Sequence, residues 1–184
     1  MPSYVGKGGH KLAFALDAFG LEVRGLVAAD LGCNVGGFVD CLLQHGAARA
    51  YAVDTGYGTL EWKLRTDERV VTMERTNAMH VTLPEAVDVV TIDAGWTRQM
   101  AIVPHALELL RPGGAMVSLL KPQYEAERGQ LRRGVLAGEH VVPVARRVID
   151  EMLGAGLPVV AAARSPLPGG KGNVEFFLLL SKAL

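Results

Sequence analysis

The chain has 184 residues, of which 49% are hydrophobic, enough for one domain with a substantial core. Its 19 Lys and Arg residues balance its 19 Asp and Glu residues, which argues against a histone-like nucleic-acid binder. Two cysteines are too few for a disulfide scaffold or a four-cysteine zinc site, and no apolar run is long enough to span a membrane.

Apolar, strand-like runs alternate with amphipathic helical stretches along the chain. In order, the patterns predict helix 12–19, strand 27–31, helix 38–44, strand 50–53, helix 60–65, strand 70–73, strand 87–93, helix 99–110, strand 115–120, helix 141–153, and strands 158–163 and 174–181. This order predicts an α/β fold with a mainly parallel sheet. The last two strands have no helix between them and should pair antiparallel. The polar segment 123–139 is predicted to be a mobile functional loop.

A glycine-rich turn follows the first predicted strand, over residues 30–38. Such a turn lets a ligand lie against bare backbone at a helix N-terminus, at the carboxyl edge of the sheet. The spacing fits neither the nicotinamide motif nor a P-loop. An acid opens the turn, which favours a cationic ligand. The candidate ligand-binding residues of the turn are Asp30, Gly32, Gly36 and Gly37.

Asp54 and Asn77 extend this candidate site beyond the turn. Asp54 closes the second strand, where an acid can bind the two hydroxyls of a ribose. Together with Asp30 and the glycines, it fits S-adenosylmethionine, which has a cationic methionyl end and a ribose. Asn77 follows the third strand and is either an adenine contact or an ordinary turn asparagine.

Three charged residues, Asp93, Lys121 and Glu175, lie at the ends of apolar strands, where an unpaired charge is costly. Parallel fourth and fifth strands with an antiparallel last strand would bring them together, and Lys11 would balance their charge. Methyl transfer to a hydroxyl needs a proton removed and the acceptor held in line. The sequence leaves open whether Lys121 removes that proton, or orients the hydroxyl and stabilises the oxyanion. A purely structural ion-pair cluster is the alternative.

The sequence resembles the TlyA-type, haemolysin-like ribosomal RNA methyltransferases of the FtsJ-like superfamily. The matching stretches are 8–12, 30–38, 54–58, 62–65, 74–77, 120–125 and 171–176. The resemblance implies a Rossmann-like, seven-stranded class I methyltransferase fold, with S-adenosyl-L-methionine as cofactor and cytidine riboses of ribosomal RNA as substrates. It places a catalytic Lys-Asp-Lys-Glu tetrad on Lys11, Asp93, Lys121 and Glu175, with Lys121 as the base. It places cofactor contacts on Gly36, Phe38, Asp54, Asn77 and Asp93.

Two departures from the family pattern are visible. Family members have an S4-like RNA-binding domain ahead of the methyltransferase, whereas this sequence starts almost at the catalytic motif. They also tend to have Ser-Phe two residues after the tetrad aspartate, where this chain has Ala94-Gly95-Trp96, and Trp96 could stack on a base. Candidate RNA contacts are Lys7, Lys63, Arg65, Arg128, Arg132, Arg133 and Lys171, each of which could equally be an ordinary surface charge.

The favoured interpretation is therefore a ribose 2′-O-methyltransferase that acts on ribosomal RNA. A small-molecule methyltransferase, or a domain that binds ribosomal RNA or cofactor without turnover, are the alternatives. The lack of an apolar span or pore-forming segment argues against a membrane-active haemolysin. We further expect one domain over residues 1–184, no metal ion and, since the N-terminus lacks a signal-peptide pattern, a cytoplasmic location.

Overall fold

The computed structural model describes residues 3–183; Met1, Pro2 and Leu184, which the predicted domain includes, lie outside the described residues. The helices are α1 (Lys7–Phe19), α2 (Gly37–Gln44), α3 (Trp62–Arg65), α4 (Gln99–Glu108), α5 (Pro122–Glu125) and α6 (Gly138–Gly154). The strands are β1 (Val27–Leu31), β2 (Arg49–Val53), β3 (Val70–Met73), β4 (Val87–Ile92), β5 (Leu110–Leu120), β6 (Leu131–Arg132), β7 (Val135–Leu136), β8 (Val159–Arg164) and β9 (Phe176–Ser181).

Seven of the strands form one sheet in the order β3-β2-β1-β4-β5-β9-β8. Strands β1 to β5 pair in parallel, and β9 pairs antiparallel with both β5 and β8. This confirms the predicted Rossmann-like α/β fold and its antiparallel last strand. The strand order reverses between β1 and β4, and the crevice outside this point is where open α/β sheets bind ligands.

Helices cover both faces of the sheet. Side chains alternate between the two faces along each strand, so both faces present apolar residues against which helices pack. On one face, Leu12 and Leu16 of α1 pack with Leu42 of α2 against Val117 and Phe177. On the other face, α4 and α6 pack against the alternate strand positions. No helix within residues 3–183 is both long enough and apolar enough to cross a membrane.

Three parts of the chain differ most from the prediction. Helix α1 begins at Lys7 rather than at residue 12, because Gly8 and Gly9 in its first turn carry no side chains that would show a helical apolar pattern. Strand β5 begins at Leu110 rather than at 115, because Leu110 pairs with Val87 and Ala115 with Val89, so that Arg111–Gly114 bulges between them. Segment 123–139, predicted as a mobile loop, instead contains the end of α5, a 3-10 turn at Arg128–Gln130 and the β6–β7 hairpin. The side chain of Asn173 holds this hairpin through two hydrogen bonds: it accepts from the amide of Leu136 and donates to the carbonyl of Gly134, both at 3.0 Å.

Candidate active site

A cavity of about 480 Å³ opens at the carboxyl ends of β1, β2 and β4, in the crevice where the strand order reverses. Its volume lies within the range of small-molecule sites. Five of the residues selected from the sequence line it: Gly32, Asp54, Asn77, Asp93 and Lys121. Trp96 lies on its rim and is also part of the lining. The cavity is therefore where the sequence placed the ligand.

Gly32 gives the cavity a floor of bare backbone. Its φ is +90°, and a Cβ there would lie 2.9 Å from the carbonyl oxygen of Asp93. Any L-amino acid with a side chain would be strained at this φ and would push the end of β4 away. The close approach of the ends of β1 and β4 therefore depends on glycine.

Asp54 is held in place by the backbone that follows β1 and β2. One of its carboxylate oxygens accepts a hydrogen bond from the amide of Asn34 at 2.8 Å, and the other from the amide of Gly56 at 2.7 Å. Asn77 accepts from the amide of Met79 at 2.9 Å, as in an Asx turn, and also lines the cavity. Both roles considered for Asn77 are therefore compatible with its position.

Asp30 lies behind the cavity rather than in its lining. It is buried; Thr91 donates to Oδ1 at 2.7 Å, whereas Oδ2 has no partner. Burial raises the pKa of the Asp30 carboxyl from 3.8 to about 8; the carboxylates of Asp93 and Asp54 add to the increase, and the Thr91 hydrogen bond opposes it. An unpaired buried carboxyl behind the cavity would be stabilised in its charged form by a nearby cation.

Gly36, Gly37 and Phe38 serve packing and do not line the cavity. A Cβ on Gly36 would overlap Leu64, and one on Gly37 would come within 3.0 Å of the Gly9 amide nitrogen. Phe38 is buried, with its ring centroid 6.2 Å from that of Phe177. Gly37 thus allows α2 to approach α1 closely, whereas Gly36 makes room for Leu64 of α3. The predicted contact of these three residues with a cofactor stays a prediction.

The four charged residues of the predicted tetrad form two ion pairs. Lys11 Nζ lies 2.6 Å from Glu175 Oε2, with side chains that are 10% and 3% exposed. Lys121 Nζ lies 2.5 Å from Asp93 Oδ1, with side chains that are 14% and 29% exposed. Gly169 closes over Glu175, because a Cβ at this glycine would overlap the carboxylate. The first pair is therefore sealed, whereas the second faces the cavity.

The sheet register links the two pairs. In the antiparallel β5–β9 ladder Leu120 pairs with Phe176, so the next residues, Lys121 and Glu175, leave the ladder side by side. Lys121 Nζ also donates to the carbonyl oxygen of Ala94 at 3.4 Å. The convergence of charges at this edge follows from the same strand arrangement that the sequence predicts.

The sequence interpretation missed several polar residues around Lys121. Glu125 is buried and accepts a hydrogen bond from the amide of Gln99 at 2.7 Å; burial raises the pKa of its carboxyl, and that bond opposes the increase. The Gln99 side chain in turn accepts from Ser118 at 2.6 Å. Gln123, Tyr124 and Glu125 follow Lys121 closely in the chain and lie in the stretch 120–125 that matches the family, and this was the signal available for them.

Comparison with known proteins places the chain among methyltransferases. The model of the FtsJ-like methyltransferase family matches residues 4–182. YqxC of Bacillus subtilis is 41% identical, over 96% of this chain and 65% of its own length. The 16S/23S rRNA (cytidine-2′-O)-methyltransferase TlyA of Mycobacterium tuberculosis is 41% identical, over 97% of this chain and 68% of its own length.

A solved structure agrees with these sequence matches. A candidate hemolysin from Streptococcus thermophilus superposes with a TM-score of 0.93 at 36% identity, covering 100% of this chain and 68% of its own. The chain thus spans 65% to 68% of the length of the relatives described here.

Proposed function

The chain belongs to the FtsJ-like methyltransferase family, and from this premise we propose that it transfers a methyl group from S-adenosyl-L-methionine to a ribose 2′-hydroxyl of ribosomal RNA. One observation carries the proposal: the Asp93–Lys121 ion pair faces a cavity at the strand-order reversal of the sheet. A ligand in that cavity and a hydroxyl beside Lys121 would be neighbours. The names of the relatives support the choice of ribosomal RNA and of cytidine.

The donors and acceptors of the cavity fit S-adenosyl-L-methionine. Asp54 is fixed by two backbone amides and presents carboxylate oxygens that suit a ribose diol. The bare backbone of Gly32 leaves room for the ligand, and Asn77 offers its amide on the same wall. Asp30, whose Oδ2 has no partner, would be the carboxylate that responds to a cationic methionyl end. When bound, the cofactor supplies an electrophilic methyl group.

Lys121 is the residue that we assign to the acceptor hydroxyl. Both of its contacts, to Asp93 and to the carbonyl of Ala94, use Nζ as donor. This favours a role in which Lys121 orients the hydroxyl and stabilises negative charge on its oxygen, and Asp93 holds the ammonium in place. The base role implied by the resemblance remains the alternative. Lys11 and Glu175, which are sealed from the cavity, would support the site from behind.

Exposed arginines beside the site provide a surface for an RNA backbone. Arg128, Arg132 and Arg133 are exposed in the 3-10 turn and the β6–β7 hairpin. Lys63 and Arg65, by contrast, form ion pairs with Asp40 and Glu74. We therefore favour the hairpin as the phosphate-binding part, because cationic side chains near phosphates supply most non-specific affinity. A cytoplasmic location follows from this substrate and stays a prediction.

The test is transfer of labelled methyl groups to purified ribosomal subunits, followed by mapping of the modified ribose. Lys121→Met should lower the transfer rate by about 10²-fold or more, the range attributed to one positioned acid–base or electrostatic group. The affinity for S-adenosylhomocysteine, measured by calorimetry, should change little.

Lys182→Met is the matched control, because Lys182 follows the opposite end of β9 and donates to the carbonyls of Leu107 and Leu110. This variant should transfer methyl groups at the parent rate. Equal rates for Lys121→Met and the parent would refute the assignment of Lys121. Absence of transfer by the parent chain to any subunit would refute the proposed function.

A further inference from the structure

Two segments of the chain lie side by side next to the cavity. One is 93–99, which contains the loop 95–98 between β4 and α4, and the other is 121–125, which follows β5. They meet through an ion pair, a contact between two rings and a hydrogen bond. The residue pairs that make these contacts are Asp93–Lys121, Trp96–Tyr124 and Gln99–Glu125. The contacts follow the same order along both segments, so each segment positions the other.

The loop 95–98 depends on its two ends for its position. Gly95 has open space where a Cβ would lie, and Trp96 has a φ of +61°, which is strained for a bulky residue. Inside the loop, the Thr97 hydroxyl donates to the carbonyl of Gly95 at 3.2 Å. Most of the loop is exposed, so burial does little to hold it. The contacts at its two ends therefore do most to fix it.

Lys121, the residue assigned to the acceptor hydroxyl, contacts the chain just before the loop. Its Nζ bonds to the carboxylate of Asp93 and to the carbonyl of Ala94, so the place of the ammonium depends on where the loop begins. Glu125 holds the other end, at the amide of Gln99. Because the loop is short, movement at that end would displace the carbonyl that Lys121 contacts.

Glu125 takes the place of a helix cap for α4. Arg98, the N-cap residue, makes no side-chain capping hydrogen bond, and the first amide of the helix, that of Gln99, donates to Glu125 instead. The helix N-terminus also favours the negative charge of this carboxylate. The Gln99 side chain extends the contact to β5, since it accepts from Ser118 at 2.6 Å and donates to the carbonyl of Leu119 at 3.4 Å. The start of α4 is thus tied both to Glu125 and to the end of β5.

Glu125 is itself anchored from another direction. Its carbonyl accepts a hydrogen bond from Arg147 of α6 at 2.8 Å, and the residue is 8% exposed. It does not line the cavity. Glu125 is therefore a fixed support for the loop and not a group that meets the substrate.

We propose that Glu125 is a positioning residue for methyl transfer, which holds the loop 95–98 so that the ammonium of Lys121 meets the acceptor hydroxyl in a fixed orientation. The inference rests on the proposed function and adds to it a residue that acts through Lys121. Misplacing a reacting group by about 1 Å can cost about 10²-fold in rate, so a loop released at one end should slow the chemical step. Cofactor binding, which we assign to Asp54 and Gly32, should not change.

The test compares two substitutions of Glu125 in methyl transfer to purified ribosomal subunits. Glu125→Leu removes the acceptor and should lower kcat by about tenfold, while KM for the subunits and the affinity for S-adenosylhomocysteine stay close to those of the parent. Glu125→Gln keeps an oxygen that can accept from the Gln99 amide, so its kcat should stay close to that of the parent. Equal losses in the two variants, or the parent kcat in Glu125→Leu, would overturn the inference.

Asp88→Leu is the matched control for a purely structural effect. Asp88 also accepts from a backbone amide of another element, that of Val27 at 2.8 Å, but it lies near the start of β4, at the end of the strand remote from the cavity. This variant should lose stability in urea unfolding and keep the parent kcat. A fall in its kcat as large as that of Glu125→Leu would show that lost stability alone slows transfer, and would overturn the inference.

If Glu125→Leu does not fold, the donor can be removed instead of the acceptor. Gln99 is the first residue of α4, and Arg98 before it has φ −79° and ψ 147°, a conformation that accepts a following proline. Gln99→Pro removes the amide proton, and Gln99→Ala is its control, because it loses the same side-chain bonds but keeps that proton. We expect kcat to be about tenfold lower in Gln99→Pro than in Gln99→Ala, and equal values would overturn the inference.

Hydrogen exchange separates failure of this inference from failure of the proposed function. Exchange of the Gln99 amide, followed by NMR, should be faster in Glu125→Leu than in the parent, because the amide loses its acceptor. Transfer by the parent together with an unchanged kcat in Glu125→Leu would refute the role of Glu125 and leave the activity intact. No transfer by the parent, with faster exchange in Glu125→Leu, would support the hold of Glu125 on the loop and refute the activity.

Discussion

Asp30 should make the protein less stable as the pH rises from 5 to 8. Burial raises the pKa of this carboxyl from 3.8 to about 8. The folded chain therefore holds the proton until about pH 8, whereas the unfolded chain releases it near 3.8. Folding takes up a proton between these values, so the free energy of unfolding falls as the pH rises through this window and levels off above it.

The size of the effect follows from the same two pKa values. Between them, each pH unit lowers the free energy of unfolding by at most about 1.4 kcal/mol. The three units from pH 5 to pH 8 give an upper limit of about 4 kcal/mol. Relaxation around the charged carboxylate reduces this, and we expect about 2–4 kcal/mol from Asp30.

Asp30→Asn isolates this contribution. The asparagine keeps the shape of the side chain and can accept the hydrogen bond of Thr91, but it does not titrate. In urea unfolding, the stability of the variant relative to the parent should increase by about 2–4 kcal/mol from pH 5 to pH 8. The difference between the two chains cancels the histidines and other shared groups. Asp17→Asn, at an exposed position on α1, should show no such trend. Parallel pH profiles for Asp30→Asn and the parent would refute the reasoning.

Three further predictions concern other parts of the site. Glu175→Leu leaves the buried ammonium of Lys11 unpaired, which should lower the free energy of unfolding by about 3–5 kcal/mol. Adding Lys11→Met to this variant should restore much of the lost stability, and additive losses of the two substitutions in urea unfolding would contradict the pairing. Gly32→Ala should lower the melting temperature more than Gly58→Ala, because both have positive φ but only Gly32 faces a backbone carbonyl; equal shifts in calorimetry would argue against the close approach. Asn173→Leu removes two hydrogen bonds to the hairpin and should speed its cleavage by trypsin, and an unchanged rate would count against that role.

The sequence predicted the sheet because its local patterns agree with the fold. The bounds of β1 and β3 are those predicted, since each is a short apolar run between turn residues. The start of β5 could not be read in the same way. Residues Arg111–Gly114 contain proline and two glycines, which indicate a turn, yet the sheet accepts them as a bulge. Contact between Arg111 and Asp88, at 2.9 Å, helps to hold that bulge and is not visible as a local pattern.

Segment 123–139 was misread for a related reason. Its order comes from Asn173, which bonds to backbone groups of Gly134 and Leu136 in a distant part of the chain. A side chain from elsewhere in the sequence that adds to the backbone pairing of β6 and β7 leaves no periodic signal in the segment that it holds. The same holds for the contact between Trp96, after β4, and Tyr124, after β5, whose ring centroids lie 4.9 Å apart. Trp96 lies in an irregular stretch and Tyr124 in the four-residue helix α5, so their contact depends on three-dimensional packing.

Strand order predicts part of the arrangement of the charged residues and leaves part of it open. Strand order predicts that Asp93, Lys121 and Glu175 meet at one edge, and the register places Lys121 beside Glu175. It does not predict that the charges divide into one sealed pair and one open pair. That division depends on Gly169, which closes over Glu175, and on Gly32, which lets the end of β4 approach β1. Because a group must reach the substrate to act on it, the open pair is the one suited to chemistry, and the sealed pair, which joins α1 to the start of β9, is suited to holding that edge in place.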